Sequence, residues 1–430
     1  MGRANSIGCW IKRLQDLPIV SVTFVHSADW QLGARFAQFS EKASRLREIR
    51  VETLARTLSM AVERGADAFL VAGDLFEDNH VDEALVAQVV SLFESVSPLP
   101  ILLLPGNHDP YTGPDSVWDR NPFLQASSHI HIFREPGKLT VKGAQFLGAP
   151  LQQKVSTLDP SLALHSLSKA YPEDTLKIGV THGAIAIPGK HQPNDFPIAL
   201  DAATRAGLDY LGVGHWHQWQ VYDEGRLVMP GTPESDDFGQ ERAGQVALVR
   251  LEEHGRPPQV DPVSVGRLNW RRLEFRLGDE IESRRSIEAL LEDASTEAGN
   301  LIARVVLQGA TTAAQLVANR QWLDDRLDGV FAYQLRDESY SQLSETEMSL
   351  LAQDHPLVDQ VLRDLECIKQ LISPGETSVE QQTVTRGSGL SLASIQALLD
   401  EGRIPLASLK VGHLEQAKER VMSLLREEVR

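Results

Sequence analysis

Five short apolar runs, each ending in a loop of Asp, Asn or His, constrain the fold of this chain more than any other feature. The runs 21–27, 68–72, 99–104, 176–180 and 210–213 have the length and composition of buried strands. They lead into Asp29-Trp30-Gln31, Gly73-Asp74, Gly106-Asn107-His108-Asp109, Thr181-His182-Gly183 and Gly214-His215-Trp216-His217. A turn or a helix cap explains any one such cluster; five in the same context point to a common site. Between the first two runs, at 41–64, Leu46, Ile49, Leu54, Leu58, Ala61 and Val62 form a helical apolar stripe that Gly65 ends. A second helix is predicted at 81–95. Strand, polar loop and helix in repetition predict an α/β sheet with ligand groups along its carboxyl edge.

The donor types narrow the chemistry. Asp29, Asp74, Asn107, His182, His215 and His217 offer oxygen and imidazole groups and no thiolate. That mixture suits two divalent metal ions, manganese first, with magnesium, iron or zinc as alternatives. Such ions, roughly 3.5–4 Å apart, clamp the attacking and leaving oxygens of a phosphoryl displacement. One carboxylate has to bridge them, and Asp74 is the candidate. His215 and His217, separated by one residue, can face different ions. His108 is read as a general acid or transition-state donor, with Asp109 orienting its ring.

Composition bounds the class. The chain has 430 residues, 42% hydrophobic and 23% charged, as expected of a soluble globular protein with two or more domains. No apolar run approaches the ~20 residues of a membrane span. Residues 1–20 carry Arg3, Lys12 and Arg13 without the apolar core of a signal peptide, and read as a short extension before the first strand. Cys9 and Cys367 allow at most one disulfide, so a reducing cytoplasm is the expected location. A net charge of −17 argues against coating nucleic acid by charge alone. Locally, residues 35–56 hold six cations (Arg35, Lys42, Arg45, Arg47, Arg50, Arg56) against three glutamates. Arg35 and Arg47 are therefore candidate DNA contacts. Tyr111, Trp118 and Arg120, in the Gly- and Pro-containing loop after His108, are candidates for stacking and phosphate contact.

The five motifs, in this order, resemble the calcineurin-like metallophosphoesterase superfamily. The segments His26-Ser27-Ala28-Asp29-Trp30-Gln31-Leu32-Gly33, Gly73-Asp74-Leu75-Phe76 and Met229-Pro230-Gly231-Thr232-Pro233-Glu234 are similar to SbcD-type DNA-repair exonucleases, including the bacterial YhaO-like branch. The resemblance covers roughly residues 21–251. It implies a four-layer α/β (α+β) sandwich with a nuclease domain at 21–256. It also implies that Asp29, Gln31, Asp74 and His217 hold one metal, and Asp74, Asn107, His182 and His215 the other. His108 would then promote departure of the leaving oxygen. One residue departs from the pattern: Gln31 stands where the family has histidine, and a neutral amide oxygen is a weaker donor than imidazole.

Beyond Pro257-Pro258 the pattern changes. Strands at 268–277, 301–307 and 330–335, with helices near 284–295 and 311–326, predict a small βαβαβ unit at 265–340. It resembles the capping domain of SbcD-type proteins, which implies a role in holding DNA. Helical periodicity resumes over 350–430, interrupted by a polar Gly- and Pro-containing linker at 373–389. In the family this region docks on an SMC-like ATPase, so an ATPase partner and a homodimer are expected. The whole reads as a two-metal DNA nuclease acting on double-stranded ends or single strands, as an exonuclease with endonuclease activity open. The same loops also allow a phosphomonoesterase, a small-molecule phosphodiesterase, or a DNA-end-binding scaffold silenced at Gln31.

Overall fold

The computed structural model describes residues 21–240, 242–293 and 298–341, together with Gln360, Leu365, Leu414 and Ala417. The expected extension at 1–20, the linker at 373–389 and nearly all of the helical region at 350–430 lie outside the described residues. The chain divides into two compact units between Trp270 and Arg271.

In the first unit the strands are β1 (Val22–Ser27), β2 (Ala68–Ala72), β3 (Ile101–Leu104), β4 (Ile130–Ile132), β5 (Gly137–Val141) and β6 (Ala144–Ala149). They continue as β7 (Lys177–His182), β8 (Tyr210–Gly214), β9 (Gln220–Tyr222), β10 (Leu227–Met229), β11 (Gln245–Leu251) and β12 (Gln259–Ser264). They form two six-stranded sheets, ordered β12-β11-β1-β2-β3-β4 and β5-β6-β7-β8-β10-β9. Strands β1 to β4 run parallel, as do β6, β7 and β8, so the loops after them emerge along common edges. The main helices are α1 (Ala43–Glu63), α2 (Glu83–Glu94) and α3 (Ser161–Ser168).

Side chains alternate along each strand, and the alternation divides the core into layers. Val25, Phe69, Val71, Ile101 and Leu103 point one way and pack with Leu54 and Leu58 of α1 and Val89 and Phe93 of α2. Their neighbours Phe24, Leu70, Leu102 and Leu104 point the other way and meet Phe146, Ile178, Val180 and Tyr210 of the second sheet. On the far face of that sheet, Leu147, Leu211, Val213 and Leu227 pack with Leu164 of α3 and with Ala202, Ala203 and Ala206. The result is helix, sheet, sheet, helix: the four-layer α/β sandwich expected from the motifs.

The predicted end of this unit at residue 256 is too early. Strand β12 pairs antiparallel with β11, Val260 opposite Val249, and extends the first sheet by one edge strand. Pro262 is tolerated there because an edge strand leaves one row of backbone groups unpaired.

The second unit contains all but the first two residues of β13 (Asn269–Arg276), then α4 (Glu280–Glu292), β14 (Leu301–Thr311), α5 (Ala313–Leu327) and β15 (Ala332–Ser341). The sheet order is β13-β14-β15, with β14 and β15 parallel. Thr312 caps α5 with a capping box: its hydroxyl accepts from the Gln315 N–H, and the Gln315 side chain accepts from the Thr312 N–H. Phe275, Ile287, Val305, Leu307, Leu323 and Leu327 form its core. No helix among the described residues is long and apolar enough to cross a membrane.

Candidate metal centre

The loops after β1, β2 and β3 in one sheet and after β7 and β8 in the other converge. Ligand atoms of Asp29, Asp74 and His182 lie within 4.8 Å of one another, all from buried residues. The backbone is shaped for the approach. Asp29, Gln31 and Asp74 adopt left-handed φ of 54°, 42° and 53°, uncommon for residues with side chains and characteristic of strained functional turns. A Cβ on Gly106 would collide with the Asp74 carboxylate, and one on Gly73 with the His182 ring, so both loops need glycine to bring these groups together.

Three histidines each have one ring nitrogen tied to an acceptor behind the site. His182 Nδ1 donates to the Ala72 carbonyl at 2.9 Å. His215 Nε2 donates to the Asp195 carboxylate at 3.0 Å, and His217 Nδ1 to that of Asp236 at 3.3 Å. The other nitrogens are thereby aimed inward. His182 Nε2 is 2.8 Å from Asn107 Oδ1 and 3.3 Å from Asp74 Oδ2. His215 Nδ1 is 2.9 Å from the same Asn107 oxygen. His217 Nε2 is 3.3 Å from Gln31 Nε2. Both carboxylate oxygens of Asp29 accept from the His215 N–H at 3.0 Å, and Asp74 Oδ1 accepts from the His108 N–H at 2.9 Å.

Electrostatics describe a centre that needs positive charge. Burial raises the Asp29 pKa, with Asp74 adding to it and His182 and His217 opposing it. Burial would raise Asp74 as well, but His182 and His108 hold it well below the usual carboxylate range. Burial works against a charged His182, yet Asp74 and Asp29 outweigh it and raise its pKa to about 9. Without another cation, the His182 imidazolium has to neutralise these acids. Two buried carboxylates, an amide oxygen and inward-facing imidazole nitrogens, each held from behind, form a donor set suited to divalent metal ions.

His108 lies beside this group. Its Nδ1 donates to the Glu77 carbonyl at 3.0 Å, which leaves Nε2 as its second polar atom. The expected orientation of His108 by Asp109 is not what the structure shows. The Asp109 carboxylate is fully buried and accepts from the Gly106 N–H at 2.8 Å and the Phe76 N–H at 3.0 Å. Successive residues of a tight loop point apart, and Asp109 instead ties the β2 loop to the β3 loop. Burial, reinforced by Asp74, pushes its carboxyl pKa up to about 7.

The candidate DNA contacts separate. Trp118 is fully buried against Phe76 and Phe123, and its indole N–H donates to the Asp109 carbonyl, so it presents no stacking face. Arg120 donates to the carbonyls of Asn79 and Val81, and the Tyr111 hydroxyl donates to Asp119 at 3.0 Å. These three residues hold the loop. Arg35 and Arg47 line a cleft of about 770 Å³ between α1 and α2, which Glu77 and Asp78 also line. The rest of the basic stretch is not an open cationic surface. Arg45 pairs with Glu48 and Glu52, and Arg50 is buried.

Asp195, Asp236 and Arg50 belong to the site's surroundings and were not singled out from the sequence. Asp195 and Asp236 follow no apolar run. Arg50 carried a readable signal: four residues after Leu46 and four before Leu54, it lies on the buried stripe of α1.

Residues 22–219 match the family model of the calcineurin-like phosphoesterases. The chain is 25% identical over 232 residues to the uncharacterized metallophosphoesterase YhaO of Bacillus subtilis (strain 168), an alignment covering 50% of this chain and 54% of that one. It thus spans about half the length of the curated relative it matches. Among solved structures, it is similar at 14% identity and a TM-score of 0.36 to the calcineurin-like phosphoesterase YfkN from Bacillus subtilis, covering 58% of this chain and 92% of that one. A dimetal phosphatase from Danio rerio is similar at 11% identity and a TM-score of 0.35, covering 56% and 99%. The matched residues include the loops that bear Asp29, Asp74, Asn107, His182, His215 and His217, so the similarity to calcineurin-like phosphoesterases covers the candidate metal centre.

Proposed function

We propose that the chain is a two-metal phosphodiesterase whose substrate is DNA, hydrolysed at ends. The observation that carries the metal-dependent part is the convergence of Asp29, Asp74 and His182 donor atoms within 4.8 Å. Asp29, Gln31, Asp74 and His217 would hold one divalent ion, and Asp74, Asn107, His182 and His215 the other. Manganese is the first choice for this oxygen and imidazole set. Ions held there supply Lewis acidity that polarises a phosphoryl oxygen and acidifies water. The chain's own contribution is positioning and proton transfer. His108 Nδ1–H donates to the Glu77 carbonyl, so Nε2 is the nitrogen left for the leaving oxygen, to which it would give a proton when the ring carries both. Asp109 fixes the His108 loop against the β2 loop. Asp195 and Asp236 keep His215 and His217 in the tautomers that aim lone pairs inward.

DNA as substrate is supported by the resemblance of the motif segments to SbcD-type nucleases and by the βαβαβ second unit, which a small-molecule phosphatase does not require. Pairing with an SMC-like ATPase and homodimer formation are part of the same proposal. A small phosphodiester is the second reading. It is favoured by the burial of Trp118 and by the hydrogen bonds that tie Tyr111 and Arg120 into their loop, which leaves Arg35 and Arg47 in a cleft that also holds Glu48, Glu52, Glu77, Asp78 and Asp82.

End-labelled linear duplex DNA incubated with manganese, magnesium or EDTA tests the proposal, beside His108→Ala and Asp74→Ala and with bis-nitrophenyl phosphate in parallel. Manganese-dependent DNA loss that disappears in both variants is expected. Ester cleavage with intact DNA selects the small-molecule reading. DNA binding with no cleavage of either substrate selects the scaffold.

A further inference from the structure

The buried guanidinium of Arg50 has no part in the steps above. It is 2% exposed, and its donors go to backbone and hydroxyl oxygens. Nε and Nη2 donate to the Trp30 carbonyl at 3.0 and 2.8 Å. Nη1 donates to the Glu234 carbonyl at 2.8 Å, and Nη2 to the Thr232 hydroxyl at 3.3 Å. Burying an ionised group is costly unless its donors are satisfied, so this cation is held by the loops it joins.

Each of those loops governs one member of the Gln31–His217 pair. Trp30 lies between Asp29 and Gln31, whose left-handed backbone persists only where surrounding contacts over-determine it. On the other side, the Thr232 N–H donates to the His217 carbonyl at 3.3 Å. Glu234 is two residues before Asp236, which holds the His217 ring at 3.3 Å. Arg50 therefore joins the chain on both sides of the point where Gln31 Nε2 and His217 Nε2 meet. The His182 and His215 half has its own supports, the Ala72 carbonyl and Asp195.

We propose that Arg50 is a positioning residue for the Gln31–His217 half of the centre, holding a neutral amide and an imidazole where they share one divalent cation. The inference rests on the two-metal reading. A neutral amide donor gains most from being held in place, because its bond to a transition metal is the weakest of the set. The planar fork of arginine is what spans the two loops; a lysine ammonium would keep the charge and lose the span.

Manganese titration of the metal-free full chain by calorimetry, with thermal unfolding of each sample, tests this in Arg50→Lys and Thr232→Val. In Arg50→Lys the weaker manganese site loses about tenfold or more in affinity, while the tighter stays within about twofold. Thr232→Val shifts the same site by less. The manganese concentration for half-maximal hydrolysis rises in parallel, and kcat at saturating manganese recovers. A folded Arg50→Lys with both sites unchanged overturns the proposal, as does equal weakening of both. If Arg50→Lys does not fold, Thr232→Val decides by the same criterion. A wild-type chain that binds no manganese sinks the two-metal reading, and this proposal with it.

Discussion

His217 Nδ1 lies 3.3 Å from the carboxylate of Asp236 and 3.1 Å from Gln240 Nε2, which itself donates to Asp236, and His217 Nε2 faces Gln31. Burial acts to raise the Asp236 pKa, but the His217 hydrogen bond and Arg50 bring it down to about 2, so the acid is ionised at neutral pH. Such acceptors behind a ligating histidine set its tautomer and basicity. Asp236→Asn is expected to weaken manganese binding or activity by about 10–100-fold while the fold is kept. Calorimetric titration of the variant measures this, and unchanged affinity contradicts the assigned role.

Gln31 reaches His217 and is nearly buried, at 6% exposure, so a side chain of this length occupies the half-site. Imidazole is the stronger donor for first-row transition metals. Gln31→His is expected to tighten the weaker manganese site about tenfold or more. Weaker binding in a folded variant would mean that the loop is shaped for the amide.

Trp118 packs against Phe76 and Phe123, at 6.1 and 5.4 Å between ring centroids, and is fully buried. Trp118→Ala is expected to cost about 3–5 kcal/mol in urea unfolding through the cavity it leaves. KM for a DNA substrate, measured well below the unfolding midpoint, should stay near the wild-type value. A stability change under about 1 kcal/mol with a large rise in KM would return Trp118 to the substrate surface.

His26 lies between the two sheets, fully buried, with Nδ1 2.7 Å from the Tyr210 hydroxyl. Burial lowers its pKa to about 3, against an unfolded value near 6.5. Between these values the unfolded chain binds more protons than the folded one. Its contribution is fully present above pH ~6.5 and is lost as pH falls towards 3, at about 1.4 kcal/mol per pH unit. Urea midpoints taken across this window for the wild type and His26→Gln read the difference directly. An identical slope in both proteins contradicts a neutral buried His26.

The elements that the sequence made legible are those with strong periodicity. The helix read at 41–64 is α1 (Ala43–Glu63), and the strand read at 68–72 is β2. Strands β4, β5, β6, β9 and β12 were not read: β4 and β9 are three residues each, β5 is partly exposed, β6 has Gln145 and Gly148 in its apolar run, and β12 carries a proline. At the site, side chains that follow a buried strand were readable from their common context. Their supports were not: Asp195 reaches His215 across twenty residues of chain, and nothing local marks it. Asp109 misled because adjacency to His108 in sequence suggested a shared task, whereas its carboxylate turns to the Gly106 and Phe76 N–H groups. Arg45, Arg47 and Arg50 look alike in composition; only helical phase separates the buried one from the surface pair.

Metal content and turnover, measured on one sample, test whether two ions act in this centre. The wild-type chain, dialysed against manganese and freed of excess, should hold two ions per chain and hydrolyse bis-nitrophenyl phosphate. Asp74→Asn, which removes the carboxylate proposed to serve both ions, should retain at most one ion and lose turnover by about 10³-fold or more. Hydrolysis that survives full chelation, or a wild-type chain that holds no manganese, would contradict a two-metal centre.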